Sequence, residues 1–445
     1  MINSQKNKSG AGEEVGKSVK KRLMEWPLRF MARTILRKYR PRIVAITGSV
    51  GKTSAKEAIF SVLSRNYRIR KSEKNYNNEI GVPLTILGVE SGGSSFFGWL
   101  IVFLKWFGIL IFPATYPEIL ILEMAADRPG DLAYLAEFAH PEISVITEIS
   151  ASHLEYFKTL DSVLKEKATL VRALDEKGLA IINIDNPQLA KLKTSLKSNV
   201  LTFGFSDEAD AKATDVLLSG KEMRGLSFKL SYKGTTMPMR LNNALAKEHV
   251  YAALAGISVG IGLGMNLVEI GTNLENFSLP PSRLNLLSGI KDTYIIDDTY
   301  NSSLKSVEAA LATLVQLSEG KRKIAVLGDM LELGTQMEES HVALARKFLE
   351  TKGAIFISVG RRMQFAVSEL RKQKFSGEIY AFRSPLEAGK KLQELLRAGD
   401  VVLVKGSQGM RMEKVVEEAM VEPEKAEKLL CRQNEEWKNI PWTEV

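Results

Sequence analysis

The chain has 445 residues, 45% hydrophobic and 25% charged, the balance of a globular protein with room for roughly three domains. One cysteine, Cys431, excludes an internal disulfide and a thiolate zinc cluster, and four histidines without H-E-x-x-H spacing exclude a zincin. The net charge is +9, and no apolar signal core follows the lysine-rich start, so a cytoplasmic protein is expected.

The basic surplus is uneven. Residues 1–41 form a basic N-terminal arm in which lysine and arginine far outnumber three glutamates. Anionic lipid, nucleic acid and acidic substrates all suit such an arm, and charge alone does not choose among them. Residues 1–16 read as disordered. Between Lys17 and Tyr39, apolar Val19, Leu23, Trp26, Phe30 and Ile35 interleave with Arg and Lys. A basic amphipathic helix from about Pro27 is expected, lying on a membrane or packing on the protein's own sheet.

Next comes IVAITGSVGKTS, residues 43–54, where an apolar strand runs into a glycine turn and a helix-compatible segment. Strand, turn and helix N-terminus in that order make a phosphate cradle. Backbone N–H groups face the anion, Lys52 adds charge and Thr53 offers a hydroxyl to Mg²⁺. The turn is the shorter T-G-x-x-G-K-T kind, because Ile46 stands where the longer pattern has glycine.

A central domain with a mainly parallel sheet is expected over residues 42–278, from strands such as EILILEM and ISVITEI alternating with helical segments. Residues 94–114 interrupt it with an apolar insertion that has Lys105 alone in its middle. The apolar window is at the short edge for a span of ~20 residues, and a central lysine would cost a span ~2.5–3.5 kcal/mol. The strands on either side also belong to one sheet. A hairpin or surface-dipping helix is therefore expected ahead of a span, with a buried helix as the alternative. Residues 214–241 read as a meander. After the linker SLPPSRLN a fresh alternation predicts a C-terminal doubly wound, Rossmann-like α/β domain over 279–421, then a charged tail over 422–445.

Polar groups at strand ends are the candidates for chemistry. Glu123 closes the run EILILEM, so it shares a crevice with the P-loop and can reach Mg²⁺ beside Thr53. His153 follows the next strand as a metal or phosphate contact, and Lys165 and Lys167 lie on the helix after it. Asp297, Asp298, Tyr300 and Asn301 end the first strand expected in the last domain; Asp329 and Lys405 end two others.

In order along the chain, TGSVGKTS (47–54), NNEIGVP (77–83), LEMAADRPGDLAYL (122–135), SHLEYF (152–157), KEKA (165–168), IIDDTYNSS (295–303), VLGDMLELG (326–334) and KGSQGMRME (405–413) resemble the Mur ligase family. The resemblance implies an ATP-dependent carboxylate–amine ligase of peptidoglycan precursor synthesis, with a muropeptide precursor and D-alanyl-D-alanine as substrates. A carboxylate takes up the γ-phosphoryl group as an acyl phosphate, and an amine then displaces phosphate. It further implies that Thr47, Gly48, Ser49, Val50, Gly51, Lys52, Thr53 and Ser54 bind ATP, met by Arg283, Asp298, Tyr300 and Asn301 from the linker and the closing domain. Lys52, Glu123, His153 and Lys167 would be catalytic. Thr53 and Glu123 would hold one Mg²⁺, and His153 a second together with Lys167 as a carbamylated lysine. Asn77 and Asn78 would meet substrate.

Three features depart from the family pattern. Only the basic arm precedes the P-loop strand, where the family has a domain gripping a uridine nucleotide. Glu248, His249 and Ala252 replace polar residues of its H-N-x-x-N-A-L-A segment. The insertion at 94–114 replaces a short connection. The first and third suggest an acceptor near the inner face of an anionic membrane, such as a lipid-linked muropeptide. Alternatives are a folylpolyglutamate- or cyanophycin-type ligase and a non-catalytic P-loop protein at the membrane. No nucleic acid partner is expected.

Overall fold

The computed structural model describes residues 9–73, 76–93, 95–150, 157–218 and 225–442, with 9–23 as backbone only. The first strand, β1 (Arg42–Thr47), lies inside a nine-stranded sheet with β2 (Ile69–Lys71), β3 (Ile119–Glu123), β4 (Ile143–Ile146), β5 (Leu179–Asn183), β6 (Asn199–Gly204), β7 (Ala211–Leu218), β8 (Leu226–Tyr232) and β9 (Thr235–Leu241). The order is β2-β3-β1-β4-β5-β6-β7-β8-β9. Strands β1 to β7 pair in parallel, and β8 and β9 close the edge as an antiparallel meander. β3 and β4 are buried along their whole length, which is why they read as unbroken apolar runs: both faces of a parallel sheet are covered.

The cover is helical. On one face lie α1 (Ser9–Tyr39), α3 (Gly81–Leu87), α4 (Phe96–Ile111), α5 (Asp131–Ala139), α6 (Leu160–Arg172) and α7 (Pro187–Lys193). On the other, α2 (Lys52–Leu63) packs with α8 (Lys247–Gly262) and α9 (Leu267–Leu274). The helix expected from about Pro27 starts earlier and runs through the proline. Proline removes one backbone donor, and burial of Leu28, Ala32 and Ile35 beyond it holds the C-terminal half on the sheet.

The apolar insertion is one surface helix, α4. Ser95 caps its start, accepting the Gly98 N–H at 3.2 Å. Lys38 of α1 caps its end, donating to the carbonyls of Ile109, Leu110 and Phe112 at 2.9, 3.0 and 3.1 Å. Only Val102 and Trp106 are buried, and the Trp106 indole N–H donates to Thr34 at 2.8 Å. Among the described residues no helix is long and apolar enough to cross a membrane.

The second sheet contains β10 (Asn285–Gly289), β11 (Thr293–Asp298), β12 (Lys323–Gly328), β13 (Ile355–Val359), β14 (Glu378–Phe382) and β15 (Val401–Lys405), ordered β10-β11-β15-β12-β13-β14. The helices α10 (Leu304–Leu317), α11 (Met337–Glu350) and α12 (Gln364–Lys372) cover one face, and α13 (Pro385–Leu395) and α14 (Glu413–Ala419) the other. β10 is an antiparallel edge strand that precedes the first strand expected from sequence. Residues 422–442 fold back onto the linker: the Cys431 N–H donates to Ser282 Oγ at 3.2 Å, and Arg411 donates to the carbonyls of Trp437 and Ile440, each at 2.6 Å.

Candidate functional site

The crevice lies at the carboxyl ends of β1, β3 and β4. Gly48 (φ 154°) and Gly51 (φ 86°) turn the chain from β1 into α2. A Cβ on Gly48 would sit 2.0 Å from Thr147 Oγ1, so the turn admits only glycine there. The loop is pinned from the β4 side. Thr147 Oγ1 donates to the Val50 carbonyl at 2.6 Å, the Ser49 N–H to the Glu148 carbonyl at 2.7 Å, and the Ser49 hydroxyl to the Ser150 carbonyl at 3.0 Å. Thr47 is fully buried beneath it. α2 starts at Lys52, Thr53 and Ser54 with no side-chain cap, which leaves its first N–H groups to an anion.

Lys52 curls back over the loop and donates to the Gly48 carbonyl at 2.6 Å. Burial pushes its ammonium down from the usual lysine range; Glu123 pulls it back up and Arg283 lowers it further. Glu123, buried at the end of β3, accepts from Asn77 Nδ2 at 3.2 Å and from Thr53 Oγ1 at 3.4 Å through Oε1. Its Oε2 is buried without a hydrogen-bond partner, 3.7 Å from the ammonium of buried Lys56. Lys56 is itself tied to the Ser72 carbonyl at 2.8 Å, and the Ser72 hydroxyl accepts the Glu123 N–H at 3.1 Å.

Lys167 on α6 is buried in the same region. Burial, then the charge of Lys52, pushes its ammonium down to about 7, against the opposing pull of Glu166 and Asp127. Glu166 accepts the N–H groups of Gly130 and Leu132 at 2.8 and 2.9 Å and so fixes the start of α5.

The C-terminal domain contributes from the facing side. Arg283 is flanked by Ser282 and Leu284, both at positive φ, 62° and 54°. It lies 3.9 Å from the centroid of the Tyr300 ring, reaches Thr53 Oγ1 at 3.5 Å, and has its Nε buried without a partner. Asp298 pairs with Lys405 at 2.5 Å, and Lys405 also donates to the Asn301 carbonyl at 2.8 Å. Burial pushes the Asp298 carboxyl up, against the pull of Lys405 and Arg283. A second bridge between the domains joins Lys305 to Glu148 at 3.8 Å.

The expected residues from Thr47 to Ser54 therefore form the loop and helix start, with Glu123, Lys167 and Arg283 around them and Tyr300 behind Arg283. Asp298 and Asn301 meet at Lys405. Asn77 serves Glu123. Asn78 is occupied locally, its Oδ1 accepting the N–H groups of Ile80 and Gly81 at 3.2 and 2.9 Å at the start of α3. His153 lies outside the described residues. His249 is buried and pushed down to about 4 by burial; its Nδ1 accepts the N–H groups of Leu245 and Ala246 at 3.0 and 3.3 Å, a cap at the start of α8. Sequence reasoning does not single out Lys56 or Ser72. The available signal was spacing: Lys56 falls one turn after Lys52 on the same helix face.

The family described as Mur ligase middle domain matches residues 46–97 and 109–260, and the family described as Mur ligase, glutamate ligase domain, matches 282–408. The chain is 27% identical to the UDP-N-acetylmuramoyl-tripeptide–D-alanyl-D-alanine ligase of Bacillus subtilis strain 168, over 89% of this chain and 79% of that one. Identity to the Escherichia coli K12 ligase of the same name is 29%, covering 84% and 76%. The crystal structure of MurF ligase from Thermotoga maritima in complex with ADP is similar with a TM-score of 0.74 at 26% identity, covering 88% of this chain and 83% of that one. The break in the middle-domain match, 98–108, falls inside α4.

Proposed function

The chain belongs to the Mur ligase family, and on that premise we infer that it is an ATP-dependent ligase of peptidoglycan precursor synthesis, joining a muramoyl tripeptide to D-alanyl-D-alanine. The observation that carries the reading is Arg283, which brings a cation from the linker to Thr53 at the start of α2, close enough to Lys52 for the two charges to repel. Cations from two sides suit a phosphoryl group on which charge builds up, and enclosure between domains keeps water away from an activated carboxyl.

In this reading Lys52 and Arg283 hold the nucleotide's phosphates, and Tyr300, Asp298 and Asn301 shape the nucleotide side of the crevice. Thr53 and Glu123 offer hard oxygen donors, and Glu123 Oε2, which has no hydrogen bond and the Lys56 ammonium 3.7 Å away, leaves the carboxylate with capacity for a magnesium ion. Mg²⁺ bound there would neutralise phosphate charge. Lys167, whose ammonium is pushed down to about 7, is suited to carbamylation: the ammonium first gives up one proton, the neutral amine nitrogen then bonds the carbon of CO₂ and releases a second proton, and a carbamate anion stands where the cation was. That carboxylate, with His153, would hold a second ion. Asn77 acts by orienting Glu123 as well as by facing substrate.

We place the reaction in the cytoplasm. The test is ADP release with UDP-linked muramoyl tripeptide, with and without D-alanyl-D-alanine, and a parallel arm with a lipid-linked acceptor. Release and peptide product that require both co-substrates are expected. Release indifferent to both would overturn the ligase reading, and product in the lipid-linked arm alone would reassign the acceptor.

A further inference from the structure

α4 is apolar on both sides. Its inner seam is buried on α1, while its outer face leaves Phe97, Leu104 and Ile111 73%, 57% and 56% exposed. A helix that is apolar all round belongs in an apolar medium, and singly scattered surface residues do not make a face of this kind. α1 extends it with Trp26 and Phe30, 72% and 49% exposed. The rings are continuous: Trp26 to Phe30 at 6.0 Å, Phe30 to Trp106 at 6.2 Å, Trp106 to Phe103 at 5.3 Å and Phe103 to Phe107 at 6.5 Å.

Charge indicates what covers this face. The sequence has no Asp or Glu from Trp26 to Arg42 or from Ser91 to Pro117. Arg37, Lys38, Arg40 and Lys105 are exposed on the same two helices, and Arg33, Arg37, Arg40 and His140 line a pocket of ≈ 440 Å³ at the end of α1. An apolar face with a basic rim, in which Glu137 is the acid held by Arg29 and Arg33, is complementary to anionic lipid, with rings at the acyl boundary and cations among headgroups. Sixteen helical residues reach only ~24 Å, short of the ~30 Å hydrocarbon core, so α4 suits the plane of the interface.

We propose that the outer face of α1 and α4 is an interfacial docking surface for an anionic phospholipid bilayer. The family match breaks off within α4 and resumes before its end, so the docking helix is added to the family framework without altering its sheet. α4 leads into the amino end of β3, whereas the crevice lies at the carboxyl ends, so docking leaves the crevice open. The proposal does not depend on which reaction the crevice carries out.

The test is flotation of the full-length protein with phosphatidylcholine vesicles, with and without phosphatidylglycerol, at low and high salt. Binding to the anionic vesicles at low salt and its loss at high salt are expected. Phe103→Asp with Phe107→Asp should lower the bound-to-free ratio at least about tenfold, and Arg37→Glu with Arg40→Glu by about fivefold or more per charge. Both variants should melt within error of the parent by circular dichroism, which shows that they fold. The proposal is overturned if the parent does not float with anionic vesicles at low salt, binds neutral vesicles equally, or is unaffected by the Phe103→Asp, Phe107→Asp pair. A stable dimer in light scattering that the same pair dissociates would assign the face to a second copy instead.

Discussion

Lys167 shows how burial, with the charge of Lys52 beside it, prepares a side chain for chemistry. The Lys167 ammonium loses its proton near 7 in the folded protein, against about 10.4 for a lysine in an unfolded chain. Between those values the unfolded chain binds more protons, so folding stability gains as pH rises from about 7 to about 10.4, and the burden of the buried charge is felt in full below 7. In CO₂-depleted buffer, Lys167→Met should therefore be more stable than the parent at pH 6, with the difference shrinking through pH 8 to 10. Denaturation midpoints at the three pH values measure this, and a pH-independent difference would contradict a buried ammonium. Glu123 makes a metal prediction. Glu123→Gln keeps the acceptor for Asn77 and Thr53 but removes the carboxylate charge that faces Lys56. The Mg²⁺ concentration for half-maximal ADP release should rise at least about tenfold, with nucleotide binding in EDTA unchanged; an unshifted Mg²⁺ curve would remove Glu123 from the metal site.

At the scale of elements, the P-loop depends on contacts that a local motif does not contain. TGSVGKTS predicts strand, turn and helix because glycine geometry and an uncapped helix start are properties of neighbouring residues. That Thr147, from one strand away, fills the space a Cβ on Gly48 would need is not local. Gly48→Ala should weaken nucleotide binding severely, and Thr147→Ala added to it should recover part of the loss by removing the oxygen that the new methyl meets. The positive φ remains, so recovery is partial; isothermal titration with ADP on the two singles and the double measures the coupling. Strictly additive losses would place the damage elsewhere. The same distinction separates other elements. The parallel strands were legible because both faces are covered, whereas β10, with Asn and Gly at its ends, carries no such run. In residues 94–114 the apolar composition was legible, but the division of α4 into a buried seam and an exposed face depends on α1. The Lys56–Ser72–Glu123 network joins three elements, and only the chain's fold brings them together.

For the whole molecule, the alternation of strands and helices on either side of SLPPSRLN announced two α/β sheets, while the way they meet had no sequence signal beyond single candidates. The linker between them is held from three sides. Ser282 donates to Asp297 at 2.8 Å and accepts the Cys431 N–H, Arg432 donates to the Thr299 carbonyl at 3.1 Å, and Arg283 lies on Tyr300. The C-terminal segment thus braces the residue that reaches the P-loop, although its charged sequence suggested a tail. Among the described residues two side-chain polar contacts cross between the domains at the crevice, and they should not be equal. Lys305–Glu148 is 3.8 Å long with Lys305 61% exposed, a pair of the kind worth ~0–1 kcal/mol. Arg283 is shielded, stacked, and directed at Thr53 by its fork. Arg283→Lys retains the charge and loses stack and fork; it should raise the KM for ATP about tenfold or more with little change in melting temperature. Lys305→Ala should leave KM, kcat and melting temperature within error of the parent. Steady-state ADP release and thermal melts on both variants decide the matter. Equal small effects would mean that the domains meet without Arg283 engaging nucleotide, whereas a large fall in melting temperature for Arg283→Lys would make it a brace of the linker instead.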